Sequence, residues 1–294
     1  MTIPNLTIIG ERINPGFPKS RELLENKDID ALAELAVSQV HKGARFLTIN
    51  IGDNPLEHLD FLRDLIVSVQ NVVDVPLSFD SPDPAVQEVC MKVYDPKKAK
   101  GRKPILNSIN EQRWEMLDLI KIQPFHVVIM ASERLEDGRI KQNRQSSEIV
   151  ETARRITTAI MKRTNEMDRD DIYIDVSLGP MASDTEGLTG TAVGAIKQIG
   201  ADPAFEGMHM IVGLSNLSIM LPSKAVDGSP LRVQLDSAFL TRTMPHGLDT
   251  ILGTPGRDYR ILPEDNFVLK AFDEAISLGG FESIMRIQQL YRSA

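Results

Sequence analysis

Short β-branched runs and longer amphipathic stretches alternate along the chain from one end to the other. The runs are LTIIGE, FLTINIG, PLSFD, PILNSI, HVVIMA, IYIDVS, MHMIVGLS and LDTILG. They are apolar on both faces rather than strictly alternating, as expected of parallel strands covered by helices. Between them, stretches such as DIDALAELAVSQVHKGA, LEHLDFLRDLIVSVQNVV, SEIVETARRITTAIMKRTNEM and TGTAVGAIKQIG repeat apolar positions at helical spacing. Eight strand-helix alternations within 294 residues predict an α/β fold, a (β/α)8 barrel, with residues 1–294 as one domain. No low-complexity linker divides them. An open doubly wound sheet is the competitor, but it would want Gly-x-Gly-x-x-Gly after its first strand, and IIGERINPG does not supply it.

In a barrel the chemistry belongs at the C-terminal strand ends, while the opposite ends serve stability. Those ends carry Glu11, Arg12 and Asn14; Asn50 and Asp53; Asp80 and Ser81; Asn107, Ser108 and Asn110; Asp175; and, after Gly213, Ser215 and Asn216. Carboxylates accept from amino and ring N–H groups, and carboxamides both donate and accept. A mouth of this kind suits a flat, neutral heterocycle such as a pterin or purine better than a phosphorylated sugar. Each residue also has a plainer reading, because Asp, Asn and Ser cap helices. Asp80, just before SPDPAVQEV, is such a case. Asp175 lies inside an apolar strand, where an unpaired carboxylate is costly. Gly-Leu-Ser-Asn taken alone reads as a turn.

Composition narrows the field further. With 42% hydrophobic and 25% charged residues the chain is ordinary globular protein, and its net charge of -8 argues against a nucleic-acid surface. The basic run DPKKAKGRKP reads as a solvated loop. No run reaches membrane-spanning length and MTIPNLTIIGERIN has no secretory pattern, so the expectation is a cytoplasmic protein away from membranes. One cysteine, Cys90, excludes an internal disulfide and a cysteine-rich metal site, and it reads as a small buried residue on a helix. His126, His209 and His246 all precede their strands, so no histidine cluster faces the mouth and no metal is expected. Lys103 also precedes its strand, which leaves a Schiff-base mechanism without a nucleophile.

With these residues in hand, the chain resembles the pterin-binding methyltransferases that exchange a methyl group between tetrahydrofolate and a corrinoid. The resemblance rests on IIGERIN, the Asp of SFD at Asp80, LNSIN, YID at Asp175, GLSN and HGLDT, in order and each tied to a strand. It implies that Asp80, Asn107 and Asp175 hold the pterin, with Glu11, Asn14 and Asn50 around it. It implies that Asn216 reaches N5, where the methyl group sits or arrives, and that Gly213 and Ser215 shape the presenting loop. Tetrahydrofolate or 5-methyltetrahydrofolate would be the substrate, and a separate corrinoid protein the partner, since no Asp-x-His-x-x-Gly cobalamin motif is present. A homodimer is implied as well, and a catabolic methylcorrinoid-to-tetrahydrofolate direction is favoured.

Dihydropteroate synthase shares the fold, but that family resembles Gly-x-Ser-Arg-Lys where this chain reads Gly-Leu-Ser-Asn-Leu. A folate-binding barrel without catalysis is the third alternative. The sequence departs from the acetogenic pattern at Thr48, where an aspartate is expected, in the long loop IMLPSKAVDGSPLR, and at the strand-eight mouth, GTPGRD. Lys224 and Arg232 are candidate partners of the folate tail, or plain loop charges.

Overall fold

The computed structural model describes residues 3–292. Eight parallel strands close into a barrel: β1 (Thr7–Gly10), β2 (Phe46–Ile49), β3 (Leu77–Asp80), β4 (Ile105–Ile109), β5 (His126–Met130), β8 (Ile172–Asp175), β9 (His209–Gly213) and β10 (Leu248–Gly253). Closure is made by β1 against β10, with Ile8 opposite Ile251. Every expected strand is present, the last over its whole expected length and the others trimmed at one or both ends.

The helices are α1 (Pro18–Glu25), α2 (Ile29–His41), α3 (Leu59–Val72), α4 (Pro84–Val93), α5 (Ser146–Arg163), α6 (Leu188–Ala201), α7 (Ser215–Ser218), α8 (Leu231–Thr243), α9 (Phe267–Leu278) and α10 (Gly280–Gln288). The expected regularity fails in two places. After β4 the connection is a 3-10 stretch, Trp114–Lys121, rather than an α-helix. After β5 the chain inserts an antiparallel hairpin, β6 (Glu133–Glu136) with β7 (Arg139–Gln142). Its turn holds Asp137 and Gly138, both with positive φ, which is the conformation Asp-Gly tolerates at two-residue hairpin turns.

Side chains alternate along each strand, so inward residues recur every second position. The inner core is Ile9, Ile105, Val128, Tyr173 and Ile211. Two residues further along the same strands stand Asn107, Asp175 and Gly213, at the C-terminal rim. Two residues earlier stand His126 and His209, at the opposite end. The barrel is therefore layered: histidine rings below, branched aliphatics with Tyr173 in the middle, and hydrogen-bonding groups above. The outer faces pack on the helices through a single extensive cluster that includes Leu47, Leu77, Phe79 and Ile174.

At the lower end Tyr173 stacks on His209 with centroids 4.6 Å apart and meets His126 edge-on at 5.6 Å. His209 Nδ1 lies 2.6 Å from Asp249. Lys103 does not stay in a solvated loop: its Nζ donates to both oxygens of buried Asp171, at 2.7 and 2.8 Å. Cys90 is buried on α4, as its sequence context implies. No described helix is long and apolar enough to cross a membrane.

Candidate functional site

The upper rim divides into three neighbouring groups. The central one is a cavity of about 110 Å³ lined by Asn107, Val128, Asp175, Ser177, Leu178, Ile211, Gly213, Asn216 and Leu252. Four of the residues singled out in the sequence, Asn107, Asp175, Gly213 and Asn216, thus share one wall. Ile211, Val128 and Leu252 form an apolar floor, suited to the face of a planar ring.

Asp175 accepts a hydrogen bond from Ser177 N at 2.7 Å, and Ser177 adopts φ 56 to deliver it. That left-handed conformation costs a serine roughly 1–2 kcal/mol, which the turn around the carboxylate must repay. Burial pushes the Asp175 carboxyl up to about 7; the Ser177 N–H opposes the rise and the charge of Asp80 adds to it. A carboxyl poised there can accept from, or donate to, a ring nitrogen at neutral pH. Asn107 sits opposite Asp80 in the β3–β4 register. The β4–β5 register slips between Asn107 and Ile109, the kind of irregularity that re-aims side chains at a barrel rim.

Beside this cavity Asn50 Nδ2 donates to Asp80 Oδ2 at 3.0 Å, while Asn50 Oδ1 accepts from Gly52 N at 2.8 Å. Burial raises the Asp80 carboxyl above its usual range, and the Asn50 bond works against that rise. The capping alternative for Asp80 fails: the N-cap of α4 is Asp83, which accepts from Ala85 N at 2.8 Å. Asp80 and Asn50 also border an outer cleft of about 500 Å³, floored by Ile49, Leu62, Phe79 and Val86 and rimmed by Asp53, Glu57 and Asp83. Every charged residue that lines it is acidic, so it disfavours anions. The smaller central cavity differs in drawing its polar groups from β4, β8 and α7, around the barrel axis, rather than from the β2 and β3 ends alone.

The third group joins strand ends to α7. Glu11 is buried and accepts from Ser215 Oγ at 2.6 Å and Thr254 Oγ1 at 2.5 Å. Each of its oxygens thus accepts from within the protein, and the carboxylate ties the ends of β1 and β10 to α7. Thr254 is a partner that sequence reasoning missed, since a lone threonine after LDTILG carries no signal. Asn216 is exposed on α7, and its Nδ2 folds back so that a Cβ on Gly213 would stand 2.8 Å from it. Asn14 lines neither cavity: its side chain accepts from Gly16 N at 2.8 Å and closes a local turn.

Thr48 is fully buried, with its hydroxyl unpartnered. Arg232 donates to Leu221 O at 2.6 Å and braces the loop after α7, while Lys224 stays exposed. Among the described residues no group of three or more His, Cys, Asp or Glu side chains is placed to hold a metal ion.

A barrel whose C-terminal mouth presents carboxyls and carboxamides around an apolar floor defines a binder of flat, hydrogen-bonding heterocycles. Residues 11–252 match the pterin binding enzyme family, and the chain belongs to it. It is 24% identical over 257 residues, 85% of each chain, to the methylcorrinoid:tetrahydrofolate methyltransferase of Eubacterium limosum. Among solved structures it is similar to dihydropteroate synthase from Thermus thermophilus in complex with 6HMPPP, at TM-score 0.57 and 15% identity over 95% of this chain and 94% of that one. It is also similar to the Xanthomonas albilineans dihydropteroate synthase in complex with 7,8-dihydropteroate, at TM-score 0.59 and 15% identity over 93% and 95%. At such identities the structural likeness concerns the fold.

Proposed function

We propose that the whole chain, 1–294, acts as one pterin-binding domain that transfers a methyl group between a corrinoid and N5 of tetrahydrofolate. The direction proposed is methylcorrinoid to tetrahydrofolate, in the breakdown of a methylated compound. The observation that carries this reading is the convergence of Asn107, Asp175, Gly213 and Asn216 on one cavity, with Asp80 alongside. The name of the Eubacterium limosum relative supports it.

In this reading Asp80, Asn107 and Asp175 hold the amino and ring N–H edge of the pterin, and the apolar floor takes its face. Asn50 orients Asp80. The ring's other end, with N5, then lies toward Asn216. The N5 lone pair forms the new N–CH3 bond, the cobalt–carbon bonding pair stays with the corrinoid, and the N5 proton leaves. Charge at N5 changes along this path. A carboxamide held at N5 lowers the barrier to the extent that it binds that changing charge better than the starting amine. Loss of a comparable fixed group elsewhere costs about 3–4 kcal/mol. The remaining task is an in-line approach, which is a matter of orientation.

The corrinoid is proposed to arrive on a separate protein, since the chain has no cobalamin motif. A homodimer in the cytoplasm completes the proposal, on the strength of the family resemblance. Pteroate synthesis is disfavoured because Asn216-Leu217 stands where the synthases would show cations for a diphosphate.

The test is spectral. The protein is mixed with tetrahydrofolate and a methylated corrinoid protein, and the methyl-cobalt absorption is followed. Its loss, with 5-methyltetrahydrofolate formed, is expected. Folate binding with an unchanged spectrum across several corrinoid proteins would indicate a non-catalytic folate barrel instead.

A further inference from the structure

Behind the Asn216 helix lies a polar cluster that borders neither cavity. Asp236, on α8, is fully buried, and one of its oxygens accepts from Arg257 Nη1 at 3.1 Å. Ser218 faces the same carboxyl, and burial raises the Tyr259 hydroxyl above its usual range, with the nearby Asp236 charge adding to the rise. Ser218 Oγ, the second Asp236 oxygen and the Tyr259 hydroxyl are buried without a well-formed hydrogen bond. Three such atoms from three segments at one spot are expensive, since each unpaired group costs roughly 1–3 kcal/mol. An apolar α8 packed on α7 would be the cheaper solution for stability alone.

The cluster has a place in the geometry of the mouth. Helix α7 spans four residues, Ser215–Ser218, with no side-chain cap, so tertiary contacts must hold it. Ser215 is held from the front by Glu11. Ser218 meets Asp236 from behind. Asn216 is thus carried between two residues that face buried carboxyls. We propose that Asp236, anchored by Arg257 of the segment after β10, is a positioning residue that seats the Asn216 helix through Ser218 from behind; its effect on turnover rests on the methyl-transfer reading of Asn216. The ionisable groups acting on Asp236 are Glu11 from the end of β1 and Arg257 and Tyr259 from the segment after β10. Burial pushes its carboxyl up to about 7, against the pull of Ser218 and Arg257 and with a push from Glu11. The seat therefore changes charge near neutral pH.

The experiment compares wild type with Asp236→Asn and Ser218→Ala. Steady-state methyl transfer is measured across pH, and hydrogen exchange of residues 214–221 is followed without ligand. Asp236→Asn is expected to lower kcat about tenfold, hold KM for tetrahydrofolate within about twofold, and remove one near-neutral ionisation from the kcat profile. Exchange over 214–221 should rise severalfold while α6 is unchanged, and Ser218→Ala, which leaves the Arg257 pair intact, should show the same rise. Lower thermal stability with unchanged kcat and unchanged exchange would mark Asp236 as merely structural and overturn the proposal. Should wild type transfer no methyl group, the exchange data still decide: a rise supports the seating role while the methyl-transfer reading fails, and no rise overturns both.

Discussion

Gly213 and Asn216 are locked in one arrangement: a Cβ on Gly213 would stand 2.8 Å from Asn216 Nδ2. The glycine is not there for backbone freedom, since its φ is not positive. It leaves room for the carboxamide to fold back over the end of β9. The obstructing atom is the tip of a flexible side chain, so Gly213→Ala should fold normally and push Asn216 aside. Methyl transfer is expected to fall about tenfold or more, with stability changed by less than about 1 kcal/mol. Kinetics beside a thermal melt check this.

Asn50 matters through Asp80. Asn50→Ala removes the hydrogen bond that favours the charged carboxylate, so Asp80 should ionise at still higher pH and hold the pterin edge less well. Tetrahydrofolate affinity, measured by titration calorimetry at pH 7, is expected to drop about 10- to 150-fold, the range for a hydrogen bond to a charged group.

Asp175 links folate binding and stability to pH. Its folded value, about 7, lies above the ordinary carboxylate range. Its contribution to stability is therefore fully present below about pH 4 and is lost as the pH rises through about 7. Asp175→Asn should raise Tm at pH 8 and leave it unchanged near pH 4. If the carboxylate is the form that accepts from the pterin N–H groups, folate affinity in wild type rises between pH 6 and 8. In the asparagine variant it is weaker and flat. Calorimetry and melts over that range decide both points.

The lower end of the barrel should respond with two opposite signs. Burial works against ionisation of Asp171, but His126 and Lys103 outweigh it and hold the carboxyl at about 2. That contribution is present above about pH 4 and lost as the pH falls toward 2, and Asp171→Asn should cost about 2 kcal/mol at neutral pH. His209 is raised by Asp249, against its own burial and with help from Asp170. Its contribution is present below about pH 6.5 and lost as the pH climbs through the raised value. Denaturant melts of Asp171→Asn and His209→Gln across pH 3–9 should show these two windows, with turnover little changed.

The barrel is legible in the sequence because its strands are short, apolar on both faces and evenly spaced, which leaves few alternatives. The residues around the central cavity are legible for a related reason. Asp175 and Asn107 stand two positions beyond inward-facing Tyr173 and Ile105, so period-two alternation places them on the inner rim. What stays hidden depends on contacts distant in sequence. Glu11 reads as a ligand-binding group, and nothing near it in sequence announces that its oxygens accept from Ser215 and Thr254, more than 200 residues away. Asp236 gives no signal, because one carboxylate in the helical run LRVQLDSAFLTRT reads as an ordinary charge. The β6–β7 hairpin carries a local signal, the Asp-Gly of EDGR, which the expectation of a regular strand-helix repeat masks. Asn14 carries a local role that its strand-end position does not announce, its Oδ1 closing the turn at Gly16.

Asn216 carries the proposed chemistry. The most direct measurement is single-turnover methyl transfer between a methylated corrinoid protein and tetrahydrofolate, for wild type and Asn216→Ala, with folate affinity measured on the same samples. The predicted result is a rate lowered by about 10²–10³ with folate affinity within about threefold, the pattern of a group that acts mainly on the transition state. An Asn216→Ala protein that transfers methyl groups at the wild-type rate would contradict the account.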